Sequence, residues 1–190
     1  IGLGGLGGHA LKYFREHSQY HVHSCSIDTN AKDLSNTAAT YRILLGKNEL
    51  GGLGTGIDPL KSSELAKAAL PEFEQFLELH QYKAVIVIAG GGGGTGSGAF
   101  PIIAHYLNSK NIPAHYYLTL PLNLEGKKKN RIAHTMLTEL HDSELDLFTA
   151  DLQEVLNETP HMGFKDALDS CLFNIQISIE EQIQVYADKA

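Results

Sequence analysis

The chain has 190 residues, 43% apolar and 19% charged, with 19 Gly and 6 Pro. That length suits one domain with a sizeable core, and the supply of branched and aromatic residues excludes intrinsic disorder. A formal net charge of -7 excludes a general nucleic-acid binder, which needs a basic surface. The charge is uneven: residues 139–190 hold 12 acidic and 2 basic side chains, the pattern of a solvated helical face or a partner surface. Cys25 and Cys171 form no Cys-x-x-Cys pair, so neither a zinc knuckle nor a dithiol motif is expected, and a reducing, cytoplasmic setting is. The longest continuous apolar run, Ala84–Ala89, is far short of the ~20 residues of a spanning helix, so no direct membrane insertion is expected.

In chain order, Ile1–Leu3 reads as the end of a strand. A helix over His9–His17 follows, with Ala10, Leu11 and Phe14 at helical spacing. Val22–Ile27 predicts a short strand, ending in Asp28-Thr29-Asn30, and Thr37–Leu45 a short helix. Asp58-Pro59 has the form of an N-cap followed by Pro at the first helical position, and Pro71 should kink or split the helix that begins there. Ala84–Ala89 is apolar on both faces, as a central parallel strand is. A helix over Gly98–Leu107, a strand over His115–Leu120, a helix over Glu125–Leu140 and a weak strand over Leu145–Phe148 complete the alternation. A long helical pattern then runs from Phe164 to Tyr186. The predicted fold is α/β: a three-layer, Rossmann-like parallel sheet with helices on both faces, ending in a long central helix.

Sixteen of the 19 glycines fall in three runs, at 2–8, 51–56 and 90–98. The first, Gly2-Leu3-Gly4-Gly5-Leu6-Gly7-Gly8-His9, leaves a strand and opens a helix, where backbone N–H groups can meet an anion. Alone it fits a dinucleotide-binding turn as well, with Asp28 at the end of the second strand as the ribose acid of an NAD- or FAD-dependent oxidoreductase. The third run, Gly90 to Gly98, repeats the arrangement after the buried strand. Two such loops at one sheet edge can embrace a di- or triphosphate from both sides. Thr95 and Ser97 would add hydroxyl donors. No Gly-Lys-Ser/Thr follows, so this is not a P-loop. Ser97 lies outside a Gly-x-Ser-x-Gly elbow and is assigned to phosphate binding. His17, His21 and His23 lack the partners of a metal-ligand set.

At Gly92-Gly93-Gly94-Thr95-Gly96-Ser97-Gly98 the sequence resembles the tubulin/FtsZ superfamily of GTP-binding filament proteins, and the likeness runs in order through nearly the whole chain. The first run resembles the first phosphate loop. Gly52 to Pro59 resembles the loop that faces the terminal phosphate, Thr119 to Lys129 the ribose loop of FtsZ, and Phe164 to Asp169 the start of the central helix. The resemblance implies that Gly4, Gly5, Leu6, Gly7, Gly8 and His9, together with Gly92, Gly93, Gly94, Thr95 and Gly96, cradle the phosphates of GTP or GDP. It implies that Gly54, Thr55 and Gly56 close over the terminal phosphate, Glu125 holds the ribose, Lys129 stands near the phosphates and Phe164 stacks on the base. Mg²⁺ would accompany the triphosphate, with Asp28, Asn30 and Asp58 as candidates for its outer shell. Self-association into head-to-tail filaments is implied as well.

The departures are specific. His9 stands where the family usually has Asn, and Lys129 replaces an arginine, losing its planar fork. Leu168 falls where a polar residue reads the guanine edge, and Ala150 where an Asn is expected, which predicts weakened guanine selectivity. No Asn-x-Asp-x-x-Asp string of the hydrolytic loop occurs. The expectation is therefore a nucleotide-binding domain over 1–160, with 161–190 a central helix leading to a C-terminal domain that these residues do not include. The rival expectation is a degenerate FtsZ-like scaffold with weak or no turnover.

Overall fold

The computed structural model describes residues 1–188 apart from Gln81, Asp142 and Glu144. Six strands, β1 (Gly2–Leu3), β2 (Cys25–Asp28), β3 (Tyr41–Leu44), β4 (Val85–Gly90), β5 (Ala114–Leu120) and β6 (Leu147–Asp151), form one sheet of order β3-β2-β1-β4-β5-β6. Every pairing is parallel. The helices among the described residues are α1 (Gly4–His17), α2 (Ala31–Ser35), α3 (Lys47–Leu50), α4 (Pro59–Ala68), α5 (Leu70–Glu78), α6 (Gly94–Ser109), α7 (Lys127–His141), α8 (Leu152–Glu158) and α9 (Phe164–Asp188), with a 3-10 turn at Asn123–Glu125.

Alternate residues of the inner strands feed two cores. Val85, Val87 and Ala89 of β4, with Tyr116 and Leu118 of β5, pack under α4–α7, through Leu65, Phe73, Phe100, Ile103 and Met136. Ile88 and Tyr117 point the other way, into a cluster with Phe14 of α1, Leu152 of α8 and Ala167, Cys171, Leu172, Ile175 and Ile179 of α9. The molecule is thus the three-layer arrangement the alternation predicts, with α9 lying on the sheet beside α1. Asp58 caps α4 by accepting from the Lys61 amide at 3.0 Å, and Pro59 opens it. Pro71 starts α5 after a break at Ala69. Both follow from local chemistry and match the sequence expectation.

Three expectations are corrected. Thr37–Leu45 is not a helix. Tyr41–Leu44 is the edge strand β3, because each of its residues has a partner in β2, from Cys25↔Tyr41 to Asp28↔Leu44, and long-range pairing overrides an ambiguous local pattern. The helices predicted at His9 and Gly98 begin earlier, at Gly4 and Gly94, so much of the glycine is in first turns rather than in preceding loops. The weak strand near Leu145 is shifted to Leu147–Asp151. The short helices α2, α3 and α8 were without a periodic signal.

Glycine is required where α6 crosses α4. A Cβ at Gly98 would collide with the Pro59 carbonyl oxygen and lie 2.7 Å from Ser62 Cβ. Neither atom is the free end of a flexible side chain. Gly98→Ala should therefore lower the stability of the fold by about 1–3 kcal/mol, the usual effect of overpacking, measured by chemical denaturation.

Candidate functional site

From β1 the chain runs outward to β2 and β3 on one side and then returns to β4 on the other. The order reverses between β1 and β4, and the carboxyl ends of strands at such a reversal leave a crevice for ligands. The first and third glycine runs leave β1 and β4 at that point and open α1 and α6. Neither helix has a side-chain cap at its N-terminus. Helix geometry leaves the first four amides of each without an intrahelical partner; past Leu3, which is paired within the sheet, these are Gly4 to Leu6 in α1 and Gly93 to Gly96 in α6. Two positive helix ends side by side make an anion-receptive surface.

The runs converge. Gly4 has φ 71°, and a Cβ there would sit 3.0 Å from the Gly96 nitrogen and 3.4 Å from Thr95 Cβ. A Cβ on Gly94 would sit 2.5 Å from Thr55 Oγ1 and 3.1 Å from the Asp58 nitrogen. The second run thus closes on the third as the third closes on the first. Gly54, at φ 82°, lies beside Asn30 and Thr29, while Gly56 and Gly93 face open space. Gly92, at φ 87°, presses on the Lys129 backbone.

The side chains around these runs are committed inward. Asp28 is buried, and its Oδ1 accepts from the amides of Thr29 (2.7 Å) and Asn30 (3.1 Å) and from the Thr95 hydroxyl (2.9 Å). With that proton given to Asp28, the Thr95 oxygen accepts from the Thr29 hydroxyl at 2.8 Å. Ser97 is buried and its oxygen accepts from the Gly92 amide at 2.9 Å. The Thr55 hydroxyl meets Ser62 Oγ at 2.9 Å, and Ser62 in turn donates to the Asp58 carbonyl at 3.0 Å. The hydroxyls expected to reach a phosphate therefore brace the loops from within. Asp28 is buried and its Oδ1 is committed to these three donors, not presented as a free ribose-binding acid. Gly7 and Gly8 are also packing positions. A Cβ on Gly7 would lie 2.7 Å from the Ile88 carbonyl oxygen and one on Gly8 2.5 Å from Thr37 Cγ2.

Glu125 and Lys129, expected to serve ribose and phosphate separately, are paired at 2.8 Å, and Glu125 also accepts from the Leu122 amide at 3.0 Å. Phe164 is half exposed at the start of α9. Leu168, one turn on, is partly buried against the α1–α9 core. Leu6 is half-buried and His9 exposed on α1. Two features escaped sequence reasoning. One is the Asp28–Thr29–Thr95 knot, whose members are 66 and 67 residues apart. The other is Ile57, a β-branched residue held at φ 65° in the second run, a strained conformation that concentrates at functional sites.

The candidate metal groups are occupied by backbone. Asn30 Oδ1 caps α2 through the amides of Lys32 and Asp33, Asp58 caps α4, and Asp28 serves its own loop. Among the described residues no group of three or more His, Cys, Asp or Glu could hold a metal ion. A cavity of about 330 Å³ lies toward the amino ends of the strands, between Ile1, Phe14, His23, Ile86 and Tyr186, and no glycine of the three runs lines it.

The fold and site define a Rossmann-like α/β domain with an anion-receptive crevice built from three glycine runs. The chain belongs to the Tubulin/FtsZ family: the model of its GTPase domain matches residues 1–155. The cell division protein FtsZ 1 of Pyrococcus horikoshii is 33% identical over 171 residues, covering 88% of this chain and 45% of that protein. The cell division protein FtsZ of Pseudomonas aeruginosa is 34% identical over 157 residues, covering 82% and 39%. This chain thus spans less than half the length of either relative. Among solved structures, an empty FtsZ dimer from M. jannaschii superposes with TM-score 0.82 at 28% identity, covering 92% of this chain and 52% of that one. CetZ2 from Haloferax volcanii, solved as a GTPgS-bound protofilament, superposes with TM-score 0.83 at 22% identity, covering 100% and 58%, a likeness of fold. Among the described residues no helix is long and apolar enough to cross a membrane.

The bracing role of Ser97 is directly testable. Ser97→Ala leaves the buried Gly92 amide without its acceptor, and stability should fall by about 1–3 kcal/mol in denaturant titration.

Proposed function

We propose that this chain is the nucleotide-binding part of an FtsZ-like protein that binds GTP and GDP and assembles head to tail in the cytoplasm. The observation that carries the reading is the convergence of the uncapped ends of α1 and α6 at the point where strand order reverses. In this reading the amides of Gly4, Gly5 and Leu6 hold phosphate oxygens from one side and those of Gly93, Gly94, Thr95 and Gly96 from the other. Gly54, Thr55 and Gly56 form the wall toward the terminal phosphate. Glu125, already an acceptor beside Lys129, takes the ribose hydroxyls while Lys129 turns its charge to the phosphates. Phe164 stacks on the base. Mg²⁺ would accompany the triphosphate, and Asp28, Asn30 and Asp58, each already accepting from backbone amides, would approach it only through water. Residues 1–160 act as the nucleotide-binding unit, and α9 is the link onward.

Hydrolysis, by water attacking the terminal phosphate, needs acidic groups that these 190 residues do not supply, because no Asn-x-Asp-x-x-Asp motif occurs. We read those groups as coming from a neighbouring subunit. A second reading, a scaffold with little or no nucleotide turnover, is favoured by Leu168, which puts no polar atom where guanine would be read.

Gly93 offers the sharpest test. It is the N-cap of α6 in extended conformation (φ -82°, ψ 170°), and a Cβ there meets nothing. Gly93→Asp should cap α6, leaving thermal stability equal or slightly raised, while placing a carboxylate in the phosphate position. GTP affinity by calorimetry should drop by about a hundredfold or more. An unchanged Kd would remove the phosphate site from this position. For the unaltered chain, GTP and ATP should bind within about tenfold of each other, because no buried polar group rejects the wrong base. A preference for GTP of about a hundredfold would refute that; no binding of either nucleotide would favour the scaffold.

Turnover is tested separately. The purified 190 residues should show no GTPase activity at low concentration. A rate per molecule that is measurable and independent of protein concentration would show the hydrolytic site to be complete within one chain.

A further inference from the structure

Asp28 is the last residue of β2 and lies behind the site rather than in it. Its Oδ1 gathers the amides of Thr29 and Asn30 and the Thr95 hydroxyl. Thr29 carries the fastening further. Its hydroxyl donates to Thr95, and its carbonyl accepts from the Gly54 amide at 3.1 Å. Asn30 forms a bridge with Leu53. The first run stands against the same residue, since a Cβ on Gly4 would be 3.4 Å from Thr95 Cβ. One carboxylate therefore ties together the second and third runs and the side chain on which the first run rests.

The same group brings a negative charge to the wrong place for an anion site. Thr95 is in the first turn of α6, so the carboxylate is one hydrogen bond from the positive end that would receive phosphate. Burial pushes the Asp28 carboxyl above its ordinary range. The Asn30 amide, the Thr95 hydroxyl and the Thr29 amide pull it back, and Asp33 pushes it up again. No cation neutralises it from the elements packed around it. The first turns of α1 and α6 carry no charged residue, the second run carries none before Asp58, which caps α4, and α2 contributes Asp33 with an exposed Lys32. A neutral amide could accept the same three hydrogen bonds without this penalty.

We propose that Asp28 is a positioning residue of the phosphate site and a built-in brake on its affinity: its acceptor oxygen sets Thr95 and the three runs, while its charge competes with phosphate for the positive end of α6. This rests on the nucleotide reading above and deepens it.

The test compares the unaltered chain with Asp28→Asn and Asp28→Ala, using calorimetry with GTP and with pyrophosphate, plus thermal unfolding without ligand. Asp28→Asn keeps the acceptor and loses the charge, so it should bind both probes about tenfold more tightly. Asp28→Ala loses the latch as well and should bind more weakly than Asp28→Asn. Without ligand, a carboxyl whose pKa is raised on folding contributes its full stability below the unfolded value, about pH 4, and loses it as pH rises through the folded value. The stability advantage of Asp28→Asn should therefore widen as pH rises above about 4. Equal or weaker binding by a folded Asp28→Asn would overturn the brake, and equal binding by the Asn and Ala variants would overturn the positioning role. Either leaves the nucleotide reading standing. Failure of the unaltered chain to bind GTP or pyrophosphate would remove that reading and this one together.

Discussion

Everything in the site depends on how closely two helix N-termini can approach. Gly4 and Gly96 belong to different helices leaving different strands, yet a single methyl group between them would be in forced contact with backbone. That approach is possible because β1 and β4 are hydrogen-bonded neighbours, with Gly2 opposite Ile88 and Leu3 opposite Ala89, and because β1 turns directly into α1 while only residues 91–93 separate β4 from α6. Sheet register therefore sets the distance between two sets of free amides. Hydrogen bonds from fixed backbone also need little reorganisation when an anion arrives.

Around this fixed centre the polar side chains form a supporting frame. Asp28, Thr29 and Thr95 join the end of β2 to α6; Ser97 closes the third run on itself; Thr55 and Ser62 fasten the second run to α4. These groups are buried or partly buried, and their lone pairs and protons are directed at one another. Such a network specifies one loop arrangement when it is fully satisfied and is disruptive when it is not. The frame and the amides divide the work: one sets shape, the other presents charge.

What the sequence made legible was whatever rests on local chemistry. β4 could be read from an unbroken apolar run, α4 from Asp58-Pro59, the α4–α5 break from Pro71, and α9 from its apolar spacing. The order of the glycine runs pointed to their convergence at one edge of the sheet. β3 was hidden because Thr37–Leu45 contains both helical and strand features, and only its register with β2, far along the sheet, decides between them. The inward turn of Thr95 and Ser97 was hidden for a related reason. A hydroxyl between glycines looks the same in sequence whether it faces a ligand or a carboxylate 67 residues away. The ion pair of Glu125 and Lys129 has i,i+4 spacing and was visible in principle, but separate roles obscured it.

The glycines themselves are not all of one kind. At Gly2, Gly7, Gly8, Gly90, Gly94, Gly96 and Gly98 a Cβ would lie within 3 Å of another atom of the protein, and at Gly4, Gly52, Gly54 and Gly92 the backbone is left-handed. The fold explains each of these internally. It does not explain Gly5 or Gly93. A Cβ on Gly5 would meet only Asp33 Oδ2, at 3.9 Å, one on Gly93 would meet nothing, and neither has positive φ. Alanine at Gly5 would even favour the helix by about 1 kcal/mol. These two residues stand at the mouths of α1 and α6, and their bareness serves nothing inside the molecule. It leaves peptide backbone open to solvent at the two helix mouths, where any side chain would begin to cover it.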